Sequence, residues 1–414
     1  MTTSEAPGTA YVWAWLPGAA EPVVAGRIDA DGPVHTFTYG RSYLERPDAI
    51  SLYLPELPLR RGTQRPVADL DIAGCLADAG PDSWGQRVIL ARHLGHLGDR
   101  SDTGELSRLT YLLESGSDRI GALDFQTSAT RYEPRTGQGA SLEDLQNAAD
   151  AIQAGQALPP SLADALVRGT SIGGARPKVL LADGDRRLIA KFSSTTDPYP
   201  VVKAEAVAMD LARRVGLKVP WTDVGTVAGR DVLLVERFDR PAGGARRLMV
   251  SALTMLELSE LTARYASYAD LADLVRARFT EPGATLRELF TRIVFNIAVG
   301  NIDDHARNHA AFWNGSELTL TPAYDLCPQV RSGDESAQAM AIDRDGARAA
   351  RFAVCHKAAP VYLLSAAEAS SITEHVVTTI REQWHEAADA ARLTDLERAR
   401  LWGRQILNPS VFYI

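Results

Sequence analysis

The chain has 414 residues, 45% of them hydrophobic, and a formal net charge of −8 at pH 7. This length and apolar content predict a large core divided over two or three structural units. The acidic balance excludes broad attachment to nucleic acid except through a local patch or a basic partner, and three scattered cysteines with no Cys-x-x-Cys pair exclude a disulfide scaffold and a zinc ribbon.

The first thirty residues show no basic segment followed by an apolar stretch, so no secretory signal is expected. No apolar run approaches the roughly 18 residues of a membrane span, and a reducing cytoplasm is the expected location. Residues 11–15, 23–26 and 35–39 are short strand candidates broken by Pro and Gly. Helical patterning begins near Trp84 and resumes over 106–113. The polar stretch 131–139, with Pro134 and two glycines, reads as a linker, and 142–157 as a helix leading into a second unit.

From Ser171 the texture changes. Residues 178–181 and 187–192 flank Asp183-Gly184-Asp185, a hairpin pattern. Residues 204–215 read as a helix ending at Gly216, and 232–236 as a buried strand. Apolar residues at Leu286, Leu289, Phe290, Ile293, Val294 and Ile297 mark one face of a helix. Asn314-Gly315, between 310–313 and 318–320, is a further hairpin signal. Ser365 with Glu368, and Thr394 with Glu397, are capping-box signatures of two late helices.

The chemistry-bearing residues follow the same order. The loop 171–178 contains Ser171, Gly173, Gly174 and Ala175 and closes on Arg176-Pro177-Lys178. It is either an ordinary tight turn or a cradle for phosphate, in which glycines let backbone N–H groups approach an anion. Lys191 interrupts an apolar strand, so its head lies either in solvent at an edge or against something anionic. Glu205 follows fourteen positions later, on the expected helix. Residues 235–240 close a buried strand with Glu236, Arg237, Phe238, Asp239 and Arg240. Asp303 and Asn308 stand in the Asp-x-x-x-x-Asn spacing of a kinase catalytic loop. The hairpin then returns the chain to Asp325, which makes a shared divalent cation between Asn308 and Asp325 geometrically possible. His305 and His309 have helix-compatible spacing, but the glutamate of a zinc-protease helix is absent. Each element alone has a bland explanation as a cap, turn or solvated face. Their succession is the one a protein kinase presents.

These residues closely resemble the HipA family of serine/threonine kinases, the toxin half of bacterial toxin–antitoxin pairs. The resemblance rests on 37–39, 51–55 and 81–85 in the N-terminal part. In the remainder it rests on 171–178, Lys191, 235–240, 301–308 and Thr321-Pro322-Ala323-Tyr324-Asp325. It implies an α+β, two-lobed protein-kinase-like fold with a β-rich N-terminal coupling subdomain (1–135), a kinase N-lobe-like part (140–240) and a mainly helical C-terminal lobe (241–414).

The resemblance also implies site roles. Asp303 would be the catalytic carboxylate, supported by His305, and Asn308 and Asp325 would hold Mg²⁺. Lys191, paired with Glu205, would grip ATP phosphates, with Ser171, Gly173, Gly174, Ala175 and Lys178 around them. Glu236 and Phe238 would bind adenine through their backbone. Ser171 would be the autophosphorylation site. The implied partners are a HipB-like helix-turn-helix antitoxin, DNA only through that antitoxin, and a protein substrate such as an aminoacyl-tRNA synthetase, with no membrane. Two departures stand out: the loop reads Gly-Gly-Ala-Arg-Pro-Lys where better-known toxins carry Gln-Glu before the lysine, and Asp325 is followed by Leu326 in place of the Phe-Gly of eukaryotic kinases. The alternatives are a small-molecule phosphotransferase and an antitoxin-bound corepressor with little kinase activity.

Overall fold

β-branched and aromatic residues dominate Thr9–Ala14 (β1) and Val34–Tyr39 (β3) and recur in Val23–Asp31 (β2), and these segments build the first sheet. The computed structural model describes residues 6–95, 97, 101–136, 140–169, 176–194, 197–331, 333 and 335–414. In it these strands join Thr63–Gln64 (β4) and Leu123–Gln126 (β5) in an antiparallel sheet of order β4-β3-β2-β1-β5. The start of the expected linker is tied down. Tyr132 packs on Trp13 and Trp15 with ring centroids 5.4 and 5.6 Å away, and Arg135 donates to Asp124 Oδ1 at 2.8 Å. Residues 137–139 lie outside the described residues.

The second sheet contains Lys178–Asp183 (β6), Arg186–Phe192 (β7), Thr222–Val227 (β8) and Arg230–Glu236 (β9), in the order β6-β7-β9-β8. The β6–β7 turn is two residues long and uses Gly184 at φ +57°. Alternation gives this sheet two faces. Val179, Ala190, Phe192 and Val232 pack with the helices Ser83–Leu94, Leu142–Gln153 and Pro160–Gly169. Leu233 and Val235 belong to the core that includes the helix Val201–Val215. The helix expected over 142–157 is shorter than its pattern. Gly155 at φ +70° turns the chain so closely past Leu97 that a Cβ would lie 2.7 Å from its carbonyl oxygen. A second helix then begins at Pro160, a residue suited to a first helical turn.

The rest is mostly helical, with Tyr268–Arg278, Pro282–Val299, Ala366–Ala390 and Asp395–Leu401 as main elements. Both late capping boxes form, at Ser365 with Glu368 and at Thr394 with Glu397. A small sheet of Met249–Ser251 (β10), Ala310–Trp313 (β11) and Leu318–Leu320 (β12) is embedded here. Its hairpin pairs Trp313 with Leu318 and turns through Gly315 at φ +104°. The architecture is α+β and two-lobed. The hairpin also meets the N-terminal part: Trp313 Nε1 donates to the Ser51 carbonyl at 2.8 Å, and the Trp313 ring meets Tyr53 edge-on at 5.7 Å.

Candidate active site

Strand alternation explains where Lys191 points. Ala190 and Phe192 face one core, so Lys191 faces the other side, where the helix Val201–Val215 lies. Its Nζ donates to Glu205 Oε1 and to Asp325 Oδ1, both at 2.6 Å. Burial opposes its charge, but the two carboxylates outweigh it and push the ammonium well above its ordinary value. In return Lys191 holds the Asp325 carboxyl down at about 2, against burial. Glu205 is pushed up by burial, with Lys191 pulling the other way. Asp325 sits at φ +58°, in the left-handed region that costs a non-glycine residue roughly 1–2 kcal/mol and that Asp tolerates better than most.

The catalytic-type loop is delivered by the helix Pro282–Val299, which stops at Gly300 (φ +72°), where a Cβ would lie 2.7 Å from the Gln405 carbonyl oxygen. Asp303 is exposed at the surface beyond it. Its carboxyl is pushed up by partial desolvation and by Asp325 and Asp304, while His305 pulls it down. Asn308 donates its amide N–H to the Asp303 carbonyl at 3.3 Å, which orients the amide and presents Oδ1. His305 and His309 do not share an α-helical face: a short 3₁₀ turn, Ala306–Asn308, lies between them. His309 Nε2 is 2.8 Å from Asp304, so the zinc-type spacing serves a structural contact instead.

Lys178 lies directly opposite Lys191 in the β6–β7 register and is only 2% exposed. Its Nζ donates to Asp82 Oδ2 at 3.2 Å. Burial pushes the ammonium down, with Asp82 and Asp325 raising it and Lys191 lowering it further. Ser171, Gly173, Gly174 and Ala175, expected around the phosphates, lie outside the described residues. At the interlobe strand, the Glu236 N–H is committed to the Trp221 carbonyl at 2.9 Å, which leaves the Glu236 carbonyl for a ligand. The expectation that Glu236 offers its backbone is thereby narrowed to one atom. Phe238 is half-buried against Phe312 and Tyr324, with centroids 5.9 and 5.7 Å away, and Tyr324 Oη donates to the Arg307 carbonyl at 2.6 Å. This aromatic cluster ties the strand end to the residue beside Asp325.

Magnesium takes oxygen ligands and keeps several waters or phosphate oxygens. Asp325 and Asn308 supply oxygens of the right type. Among the described residues no cluster of three or more His, Cys, Asp or Glu side chains could hold a metal. The donor set fits an ion shared with a nucleotide better than an all-protein cage.

Sequence reasoning missed two features. Asp304, next to Asp303, is 1% exposed and accepts from Asn296 Nδ2 at 2.7 Å and Tyr268 Oη at 2.5 Å, besides its His309 contact. Burial works against its charge, yet His309 and the Tyr268 hydroxyl hold the carboxyl below its ordinary value. It anchors the loop that carries Asp303. The second is a buried charge cluster at the interlobe strand. Arg237 donates to Asp239 (2.8 and 3.0 Å), to Asp118 (2.9 Å) and to the Arg119 carbonyl (2.6 Å). Arg240 donates to Asp118 at 3.0 Å and Asp239 at 2.9 Å.

Comparison with known proteins finds relatives over most of the chain. The HipA-like C-terminal domain profile matches residues 170–384, and the HipA N-terminal domain profile matches 19–126. A putative kinase, Y4mE, of Sinorhizobium fredii is 29% identical over 281 residues, 61% of this chain and 63% of that protein. The serine/threonine-protein kinase toxin HipA of Shewanella oneidensis is 28% identical over 201 residues, 42% of this chain and 46% of that protein. The chain thus spans about half to two-thirds of the length of these curated relatives. A solved complex of HipA, HipB and operator DNA from Shewanella oneidensis MR-1 contains a chain of the same fold. Its TM-score is 0.68 at 20% identity, covering 96% of this chain and 99% of that one. With both family domains present in the family's order, and with the kinase-type residues placed as described, the chain belongs to the HipA family.

Proposed function

We propose that this chain is an ATP- and Mg²⁺-dependent protein serine/threonine kinase that acts as a growth-inhibiting toxin. The observation that carries the reading is Lys191, largely shielded on its strand and held between Glu205 and Asp325. A strand lysine fixed by a helix glutamate is the device that kinases use to grip nucleotide phosphates. Here the same lysine also reaches the carboxylate that would bind magnesium.

In this reading Lys191 and Lys178 neutralise the phosphates, and Asp325 and Asn308 would hold a magnesium ion, which would supply charge stabilisation for the transfer. The Glu236 carbonyl and the backbone at Phe238 receive adenine. Asp303, exposed and with its carboxyl shifted upward toward a proton acceptor's range, takes the proton of the acceptor hydroxyl as that oxygen bonds to the γ-phosphorus and the bond to the nucleoside diphosphate breaks. Asp304 keeps that loop in place from below. Ser171 becomes phosphorylated by the enzyme itself, adding nearly two negative charges to a site built for anions and so limiting further turnover. The partner is a helix-turn-helix antitoxin, a reading supported by the fold shared with the HipA that was solved with HipB and operator DNA. The substrate is a translation component such as an aminoacyl-tRNA synthetase, and the site of action is the cytoplasm.

Intact-mass measurement of the purified chain with ATP and Mg²⁺ tests this. Wild type should gain one phosphate, and neither Ser171→Ala nor Asp303→Asn should gain any. Equal incorporation in Ser171→Ala would remove the self-modification. Undiminished transfer by Asp303→Asn would remove the assigned chemistry.

A further inference from the structure

Two lysines directly opposite each other on one face of a sheet repel at the closest side-chain spacing that a sheet allows. Lys178 and Lys191 stand in that relation, and both are shielded from solvent. Each therefore needs its own counter-charge. Lys191 has Glu205 and Asp325, both supplied by the kinase lobes. Lys178 takes Asp82, ninety-six positions earlier in the chain and part of the N-terminal unit.

Asp82 is itself immobilised. Its Oδ1 accepts the Gly85 N–H at 2.8 Å and caps the helix Ser83–Leu94, so only Oδ2 faces the lysine. That helix packs Trp84, Val88 and Ile89 into the cluster that contains Val179 and Phe192, immediately beside Lys178 and Lys191 in their strands. The carboxylate thus arrives on a rigid support. The positive charge of Arg307, between Asp303 and Asn308, also favours the charged form of the Asp82 carboxyl, although burial outweighs it and pushes that carboxyl up.

We propose that Asp82 is a positioning residue for nucleotide binding: it fixes Lys178 beside Lys191, so that the N-terminal unit completes the phosphate-gripping pair of the kinase. This rests on the kinase reading above but goes beyond it, because it assigns part of the nucleotide site to a unit outside the kinase lobes. Asp82 touches neither nucleotide nor substrate and acts through Lys178.

Charge and cap are separable by substitution. Asn caps a helix as well as Asp does but carries no charge, whereas Glu keeps the charge and caps poorly. The experiment measures ATP affinity with Mg²⁺, KM for ATP, kcat and thermal midpoint on the full chain. The panel is wild type, Asp82→Asn, Asp82→Glu, Lys178→Met and the Asp82→Asn/Lys178→Met double variant. We expect Asp82→Asn to weaken ATP binding and raise KM about tenfold with kcat within about twofold and an unchanged midpoint. Asp82→Glu should recover most of the affinity despite its weaker cap. In the Lys178→Met background, Asp82→Asn should cost nothing more. Unchanged affinity in Asp82→Asn, or the reverse order in which Asn is normal and Glu defective, would overturn the assignment and leave the kinase reading standing. Failure of wild type to bind ATP with Mg²⁺ would overturn both.

Discussion

The molecule holds two clusters of alternating charge, one largely buried and one opening to solvent, and they are built on opposite terms. At the interlobe strand, Arg237, Arg240, Asp118 and Asp239 are cross-bonded to one another. Asp239 additionally accepts the Gly121 N–H at 2.8 Å. Burial opposes the Asp239 charge, but the two guanidiniums drive its carboxyl far below the ordinary range. In the candidate site Lys191 divides itself between two acids, Asp325 carries backbone strain, and the carboxyl of neighbouring Asp303 is shifted upward. The first cluster is satisfied and locked. The second holds its groups in a state that an incoming anion and cation can rearrange. Buried ion pairs add little net stability but make separation expensive, so the locked cluster fixes how the N-terminal unit meets the interlobe strand, whereas the strained one is open to rearrangement.

Substitution in each cluster tests that contrast. Asp303→Asn should reduce phosphate transfer by about 10²–10⁴-fold, read by phosphate incorporation, with no change in thermal midpoint. A fall in stability of the same variant would mean that Asp303 belongs to the scaffold. Arg237→Met should do the reverse. It removes one of the two guanidiniums that Asp239 and Asp118 share, leaving Arg240 alone against two buried acids, and should cost up to about 3–5 kcal/mol in denaturant unfolding. Gly315→Ala probes the hairpin that spans Asn308 and Asp325. A Cβ there would meet Ile50 Cγ2 at 2.6 Å and the backbone is at φ +104°. A loss of about 1–3 kcal/mol is expected, measured by the same unfolding curves.

The smallest effect is in acid. The Asp325 carboxyl is depressed in the folded chain to about 2, from an ordinary value of about 3.9. Its contribution is therefore complete above about pH 4 and is lost as pH falls through about 2. Lys191→Met removes the cause, so unfolding curves of that variant should lose this part of the pH dependence between about pH 4 and 2 while keeping the part due to Asp239.

How much of this was legible depended on range. The hairpins at Asp183–Arg186 and Asn314–Glu317 and the capping boxes at Ser365 and Thr394 are local, and turn or cap chemistry announces them. The Lys191–Glu205 pair was readable because a lysine in an apolar strand is itself a local anomaly. Asp304 was overlooked because its three donors come from a helix, a second helix and a loop, and no short-range period brings Asn296, Tyr268 and His309 together. Asp82 read only as part of a family motif, and no local signal singled out Asp118. Burial of charge is decided by tertiary packing, which leaves no periodic trace in composition. The helix over 142–157 was overextended for a related reason: the stop at Gly155 is set by a carbonyl from residue 97, far away in sequence.

The contact of Trp313 with Ser51 joins positions 262 residues apart. At about 5–20 residues per second of ribosomal synthesis, roughly ten to fifty seconds separate the emergence of the two partners. The hairpin that spaces Asn308 from Asp325 can lean on its support only once that support has been waiting, already folded, outside the ribosome. The spacing of Asn308 from Asp325 thus acquires its outside support late, well after the N-terminal unit that supplies it has been made.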